Sequence, residues 1–161
     1  MKIKNLIDED FIQYKKPSMF IGFPNCNFKC DKECGQQVCQ NSKLANSANI
    51  EISKEALCER YLKNPITSAI VCGGLEPFDS KFDLIAFVDY LRRNCECHDD
   101  IIIYTGYYPE EINIMLTDLK KYDNIIIKFG RFIPNKDKIY DNLLGVTLAS
   151  DNQYARRIED L

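Results

Sequence analysis

The chain has 161 residues, 45% of them hydrophobic, which is typical of one domain with a substantial core. Its 21 Lys and Arg residues nearly balance 24 Asp and Glu residues, giving a formal net charge of −3. Because no basic run is longer than a pair, the sequence argues against direct binding of nucleic acid.

The N-terminal sequence MKIKNLIDED contains no apolar core and no small-residue cleavage site of a secretory signal. No apolar run approaches the roughly 20 residues that a membrane-spanning helix requires. The sequence therefore predicts a cytoplasmic protein without a membrane partner.

In chain order, the first predicted element is a buried strand over 18–23, which leads into a cysteine-rich loop. A helix is predicted over 52–63, with Ser53 as its N-cap. The apolar run at 69–72 predicts a second strand, and a helix follows from Asp79 or Ser80 to about residue 94.

The second half of the chain continues the same alternation. A strand is predicted over 101–104, and Pro109 is well suited to the first position of a helix. Further strands are predicted over 125–128 and 145–149. Alternating strands and helices indicate an α/β fold with a mostly parallel sheet. Five to six such units are too few for a closed eight-unit barrel, so we expect a partial barrel or an open sheet.

Several unusual loops directly follow predicted strands. They are the cysteine loop, Gly73-Gly74, Thr105-Gly106 and Phe129-Gly130-Arg131. Ligands of parallel α/β proteins collect at the carboxyl ends of the strands. We therefore expect these loops to form one shared site.

The cysteine loop holds four of the eight cysteines within fourteen residues, namely Cys26, Cys30, Cys34 and Cys39. Such dense thiols indicate disulfides, a zinc site or an iron–sulfur cluster. Structural disulfides are uncommon in the expected cytoplasmic location. The spacing C-x3-C-x3-C-x4-C differs from the usual paired zinc ligands, and the single histidine, His98, is distant. The spacing thus favours an iron–sulfur cluster, and zinc remains the alternative.

Five motifs then follow one another along nearly the whole chain: Cys26 and Cys30 with Cys39-Gln40-Asn41, Gly73-Gly74-Leu75-Glu76-Pro77, Tyr104-Thr105-Gly106-Tyr107, Gly130-Arg131-Phe132 and Asn152-Gln153. In this order they resemble the radical S-adenosylmethionine (SAM) superfamily. Within it they most resemble the activating enzymes of anaerobic (class III) ribonucleoside-triphosphate reductase.

The chain also departs from that family. Eight residues instead of two separate Cys30 from Cys39, and Cys34 lies within this insertion. Leu75 interrupts the Gly-Gly-acidic sequence, and Phe129 stands where the family usually has Asp. Val38 takes the place of a frequent aromatic residue. These differences indicate a divergent branch.

The resemblance implies a single radical SAM domain over residues 1–161, a partial (β/α) barrel, with the cluster loop at 24–42. It implies a [4Fe–4S] cluster held by Cys26, Cys30 and Cys39, with one iron left open for SAM. Cys34 is predicted to be a non-ligand, because Gln40-Asn41 after Cys39 match the residues that follow the last ligand of the family. No catalytic side chain is expected beyond the cluster.

The resemblance also implies the residues that would bind SAM. Gly73 and Gly74 lack Cβ, so their backbone could approach the SAM ammonium, and Glu76 could add charge assistance. Thr105 and Gly106 would lie beneath the nucleoside. An ordinary turn is the alternative explanation for both segments.

The last of the five motifs, Asn152-Gln153, could hydrogen-bond SAM or shape the rim of the site. A plain surface loop explains this pair equally well. Lys128 and Arg131 could meet the SAM carboxylate or the backbone of a partner protein, although charged residues at loop ends are usually just solvated.

The implied function is activation of a large glycyl-radical enzyme, the anaerobic ribonucleotide reductase, with electrons from a flavodoxin- or ferredoxin-type donor. One alternative is a radical SAM enzyme acting on a small molecule, which would need an enclosed pocket. Another is a non-enzymatic four-thiolate iron–sulfur or metal protein that uses Cys34. Cys58 and Cys72 are interpreted as small core residues, and Cys95, Cys97 and His98 as only a partial metal-binding set.

Overall fold

A computed structural model describes all residues, 1–161, and contains ten strands and five α-helices. The strands are β1 Lys2–Ile3, β2 Asn5–Asp10, β3 Ser18–Phe23, β4 Ile50–Glu51, β5 Ala69–Gly74, β6 Asp100–Tyr104, β7 Ile125–Phe129, β8 Ile139–Asp141, β9 Val146–Leu148 and β10 Tyr154–Arg157. The helices are α1 Lys29–Cys34, α2 Ser42–Ala45, α3 Lys54–Lys63, α4 Lys81–Arg93 and α5 Asn113–Leu119. Short 3-10 turns occur at Pro77–Ser80, Pro109–Glu111 and Ile158–Asp160.

A six-stranded sheet with the order β10-β7-β6-β5-β3-β2 forms the centre of the molecule. The four inner strands, β3, β5, β6 and β7, are parallel, and the two edge strands pair antiparallel to them. The inner strands are buried along almost their whole length, as expected for parallel strands covered on both faces. No helix has the combined length and apolar character needed to cross a membrane.

The two faces of the sheet are covered by different parts of the chain. On one face, a large apolar core joins alternate strand residues such as Ile70 and Cys72 to helices α3, α4 and α5. On the other, Val71 and its neighbours pack against Tyr14, Leu144 and Leu148, which precede β3 or belong to the β8–β9 region. The helices therefore cover one face, and irregular chain covers the opposite face.

Most predicted elements are confirmed, with differences at their ends. The Ser53 hydroxyl caps α3 by accepting from the Ala56 amide at 3.1 Å. The helix expected from Asp79 or Ser80 is present as α4, with Ser80 at its N-cap position, and a 3-10 turn at Pro77–Ser80 precedes it. The strand expected at 145–149 is present as β9, but it pairs only with β8, in a hairpin outside the main sheet. The six-stranded sheet thus has four parallel strands, and the partial barrel stays a prediction.

Gly74 lies at the end of β5, beside Gly22 and Phe23 of β3. Its φ of +83° is in the left-handed region, and a Cβ there would lie 2.7 Å from Gly22 Cα and 2.9 Å from the Phe23 amide nitrogen. Backbone atoms cannot give way as the end of a side chain can. A glycine is therefore required at position 74 by the fold itself, whatever its relation to SAM.

We predict that Gly74→Ala lowers the free energy of unfolding by at least about 2 kcal/mol, because a strained conformation adds to a backbone clash. Gly35→Ala is the matched control, since Gly35 has φ +65° but nothing within 4 Å of the added methyl group. That variant should lose only about 1 kcal/mol. Urea unfolding of the apoprotein measures both values, and equal losses would contradict the argument.

Candidate metal centre

A cavity of about 400 Å³ lies at the carboxyl ends of the parallel strands. Segments that follow all four inner strands contribute to its wall, as does the β9 region. Three thiols line it, those of Cys26, Cys30 and Cys39, whereas Cys34 at the end of α1 does not. The cavity also contains most of the predicted SAM residues: Gly73, Gly74, Glu76, Thr105, Gly106 and Gln153.

The first part of the cysteine loop is fastened to the loops that follow β5 and β6. The Asn27 amide donates to Asp79 Oδ2 at 2.8 Å, and Asn27 Nδ2 donates to the Tyr107 hydroxyl at 2.5 Å. Tyr107 in turn donates to Asp79 Oδ1 at 2.6 Å. Phe28 adopts a left-handed conformation, and its amide donates to Cys26 Sγ at 3.2 Å. These contacts fix the position of Cys26 before any cofactor binds.

The residues inserted between Cys30 and Cys39 form a compact loop that brings Cys39 back to the cavity. Helix α1 ends at Gly35, whose left-handed conformation reverses the chain. The Asp31 carboxylate then accepts from the backbone amides of Val38 and Cys39, both at 2.8 Å. Beyond it, Asn41 Nδ2 donates to the Gly74 carbonyl at 2.6 Å. Asp31 was not identified from the sequence, because no local pattern distinguishes it from a solvated acid.

We predict that Asp31→Ala releases Cys39 from its position and weakens retention of a bound cluster. Loss of two hydrogen bonds to a charged acceptor should speed iron release to a chelator by about tenfold. The control is Gln37→Ala, which alters an exposed side chain of the same inserted loop. Anaerobic reconstitution followed by timed chelation measures both variants, and equal release rates would exclude a role for Asp31.

Glu76 is buried beneath the cavity and connects two strand ends. Its Oε1 accepts from the Thr105 hydroxyl at 2.8 Å and the Phe78 amide at 3.2 Å, and its Oε2 accepts from the Gly106 amide at 2.9 Å. Burial raises the pKa of Glu76 to about 7, although these donors favour the ionised form. The predicted role of Glu76 toward SAM stays a prediction; in the structure all three of these hydrogen bonds come from the protein.

The raised pKa predicts a pH dependence with a definite sign. Between the usual value of 4.5 and about 7, the folded state keeps the Glu76 proton while the unfolded state has lost it. The free energy of unfolding should therefore fall by about 3 kcal/mol through this group as the pH rises across that range. Urea unfolding of the apoprotein at pH 5 and pH 8 measures the change.

Glu76→Gln should remove this contribution, so the variant gains stability relative to the wild type as the pH rises. Glu110→Gln changes an exposed acid and serves as the control. A pH dependence of Glu76→Gln identical to that of the wild type would show that Glu76 does not titrate in this range.

Lys128 is a buried cation in the cavity wall. Only 7% of the residue is exposed, and its Nζ donates to the Gly130 carbonyl at 2.9 Å. Burial lowers the pKa of Lys128 to about 8, while the nearby Glu76 carboxylate opposes this change. The expectation of a solvated lysine at this loop end is therefore wrong.

Arg131, the other charged residue considered at this edge, is also buried. Its guanidinium pairs with Glu111, and Arg131 Nε lies 3.2 Å from Glu33 Oε1. That second contact lacks hydrogen-bond geometry, since the Nε atom has no hydrogen-bond partner. Arg131 thus holds α1 near the start of α5, and the expectation of a solvated arginine is wrong as well.

Asn152 and Gln153 form hydrogen bonds with backbone groups at the same edge of the sheet. Gln153 Oε1 accepts from the Ala149 and Ser150 amides at 3.1 and 3.2 Å, and its Nε2 donates to the Gly130 carbonyl at 3.1 Å. Asn152 Nδ2 donates to the Arg131 carbonyl at 2.8 Å, while its buried Oδ1 has no partner. Only Gln153 reaches the cavity, so the two residues occupy different environments.

The cavity thiols fit an iron–sulfur cluster chemically. All eight cysteines are free, and soft thiolates are the usual ligands of such clusters. No three His, Cys, Asp or Glu side chains are arranged to hold a single metal ion. In a polynuclear cluster each thiolate binds a separate iron, so thiols placed around one cavity are a suitable ligand set for such a cluster.

The thiol-lined cavity at the ends of the parallel strands fits an iron–sulfur protein. A family model described as "4Fe-4S single cluster domain" matches residues 17–153, which is most of the chain. The chain therefore belongs to this family. A search of curated proteins finds no match to it.

Proposed function

We propose that the protein is a radical SAM activase that generates a glycyl radical in a partner anaerobic ribonucleotide reductase. The observation that carries this proposal is the shared cavity, in which Cys26, Cys30 and Cys39 face the Gly73-Gly74 and Thr105-Gly106 segments. When bound, a [4Fe–4S] cluster with one open iron supplies the electron that cleaves SAM into methionine and a 5′-deoxyadenosyl radical. The electron donor would be a flavodoxin- or ferredoxin-type protein.

In this proposal, Cys26, Cys30 and Cys39 are the ligands, and Cys34 is not. The absence of Cys34 from the cavity lining supports this choice. The hydrogen bonds of Asp31 to the Val38 and Cys39 amides support it further, because they hold the last thiol in place despite the insertion. Three ligands leave an iron without a protein thiolate, as SAM binding requires.

The backbone at Gly73 and the side chain of Lys128 would face SAM. A Cβ at Gly73 would lie 3.0 Å from the Phe20 ring, so glycine keeps both the ring and the cavity wall in place. Lys128 would offer a cation to the SAM carboxylate, at a depth where little water competes for it. Glu76, Thr105 and Gly106 would support this wall through their mutual hydrogen bonds.

The opening of the cavity supports a protein substrate. Ile12 lines the cavity and is nevertheless 74% exposed, and the adjacent Phe11 is 64% exposed. An exposed apolar side chain in the cavity wall, with a second one next to it in the chain, suits contact with a polypeptide better than enclosure of a small polar molecule. This observation favours the activase over the radical SAM enzyme for a small molecule. The four-thiolate metal protein would require Cys34 to enter the cavity.

The ligand assignment predicts different outcomes for two cysteine variants. After anaerobic reconstitution, Cys34→Ala should hold about four irons per chain and should produce 5′-deoxyadenosine from SAM and dithionite. Cys39→Ala should lose at least about nine-tenths of both, because two thiolates hold a cluster poorly. The reverse pattern would make Cys34 the ligand, and loss of iron in both variants would favour the four-thiolate protein.

A second measurement concerns the partner. The reconstituted protein should generate an organic radical, detected by electron paramagnetic resonance, when mixed with SAM, dithionite and an anaerobic ribonucleotide reductase. Cleavage of SAM without such a radical would retain the radical SAM chemistry but exclude this class of partner.

A further inference from the structure

Cys26 is held from both sides by the short 3-10 turn that precedes α4. On one side, Asn25 Nδ2 donates to Ser80 Oγ at 3.0 Å. On the other, the Asn27 amide donates to Asp79 Oδ2 at 2.8 Å. The turn therefore lies against the chain both before and after this thiol, and its side chains are part of the surroundings of Cys26.

The Asp79 carboxylate places a negative charge next to Cys26. Asp79 is half-buried, and in addition to the Asn27 amide it accepts a hydrogen bond from the Tyr107 hydroxyl, at 2.6 Å to its Oδ1. With both oxygens engaged as acceptors, the carboxylate has a fixed position. Since Asn27 directly follows Cys26 in the chain, this charge contacts the neighbour of a predicted cluster ligand.

The charge of Asp79 is not neutralised by a basic side chain. Lys29 is the nearby cation, with its Nζ 4.7 Å from the centre of the Tyr107 ring, but it pairs with Glu111 at 2.8 Å. The two donors to Asp79 are a backbone amide and a phenol, both uncharged. Asp79 therefore contributes a full negative charge to this side of the cavity.

We propose that the Asp79 carboxylate lowers the reduction potential of a [4Fe–4S] cluster bound through Cys26. Reduction adds one electron to the cluster, and a fixed negative charge nearby makes that addition less favourable. Charge and hydrogen bonds to the sulfurs are among the factors that set such potentials. The Phe28 amide, which donates to Cys26 Sγ at 3.2 Å, acts in the opposite direction. Asp79 thus acts on the reaction through the cluster, as a positioning residue.

This inference rests on the proposed function for the ligand role of Cys26. In that function the reduced cluster passes its electron to the sulfonium of SAM, which is difficult to reduce. A lower potential makes the reduced cluster a stronger reductant, so the charge of Asp79 favours cleavage. The same charge requires a stronger reductant in the electron donor.

The test is a redox titration of the anaerobically reconstituted protein, without SAM and without a partner, in which electron paramagnetic resonance measures the fraction of reduced cluster. Asp79→Asn removes the charge and keeps an oxygen that can accept from the Asn27 amide. We expect the equilibrium constant for one-electron reduction to rise about tenfold, which is a potential about 59 mV higher. Asp79→Ser is a second neutral variant, for use if Asp79→Asn does not retain the cluster.

Two further variants separate the charge of Asp79 from its contacts. Asp118→Asn removes an exposed acid near the end of α5, and it should leave the potential unchanged. Tyr107→Phe removes the hydroxyl that donates to Asp79 but keeps the carboxylate charge, so it should not raise the potential.

The proposal is overturned if the neutral variants have the potential of the wild type, or if Tyr107→Phe raises the potential as much as Asp79→Asn does. It is also overturned if both neutral variants lose their iron, since Asp79 would then have a structural role alone. Failure of the activase proposal gives a different result. In that case the wild type does not cleave SAM or form the partner radical, while the difference in potential between the wild type and Asp79→Asn remains.

Discussion

The buried carboxylate of Glu76 is the interaction on which the cavity depends most. Removing an ionised acid from water is unfavourable, and hydrogen bonds from Thr105, Gly106 and Phe78 offset part of that cost. These bonds connect the chain after β5 to the chain after β6. Since both segments line the cavity, the carboxylate fixes the separation of its two walls.

The cysteine loop is positioned by polar contacts rather than by its own length. A long insertion adds little to the entropy of closing a loop, roughly 0.6 kcal/mol for each doubling. The larger obstacle to placing the thiols is the number of conformations that a long loop can adopt. Hydrogen bonds from backbone amides of the loop to Asp31 and Asp79 reduce that number. Asn41 then joins the end of the loop to the Gly74 carbonyl. A divergent spacing of the cysteines is thus compatible with thiols in a shared cavity.

The inner strands and the main helices could be predicted from the sequence because their apolar residues and caps are local signals. The edge strands β2 and β10 could not, since sequences such as NLIDED and YARR are polar on both faces and become strands only by pairing with a neighbour. In the hairpin of β8 and β9, the sequence predicted β9 but neither β8 nor its pairing with β9, because that pairing is set by tertiary packing at Leu144 and Leu148.

The sequence predicted most of the residues that line the candidate site, but it did not predict which groups those residues contact. Glycine, thiol and acid positions follow from the motifs, but the partners of a buried side chain do not. Gln153 illustrates this difference, because both the oxygen and the nitrogen of its side-chain amide hydrogen-bond to the backbone at its own edge of the sheet. Lys128 illustrates it as well, since a charged residue at the end of a strand gave no sign of being buried.

The pairing of Glu76 with Thr105 also constrains how this protein can change over evolution. Replacing Thr105 alone by an apolar residue would take one donor from a carboxylate that water barely reaches, and replacing Glu76 alone would leave a buried hydroxyl and the Gly106 amide without an acceptor. Either single step is costly, whereas a simultaneous change to two apolar residues would remove both the carboxylate and the hydroxyl and would leave only backbone amides, those of Gly106, Phe78 and Tyr107, without these acceptors. Positions 76 and 105 should therefore vary together among related sequences, although they stand far apart in the chain.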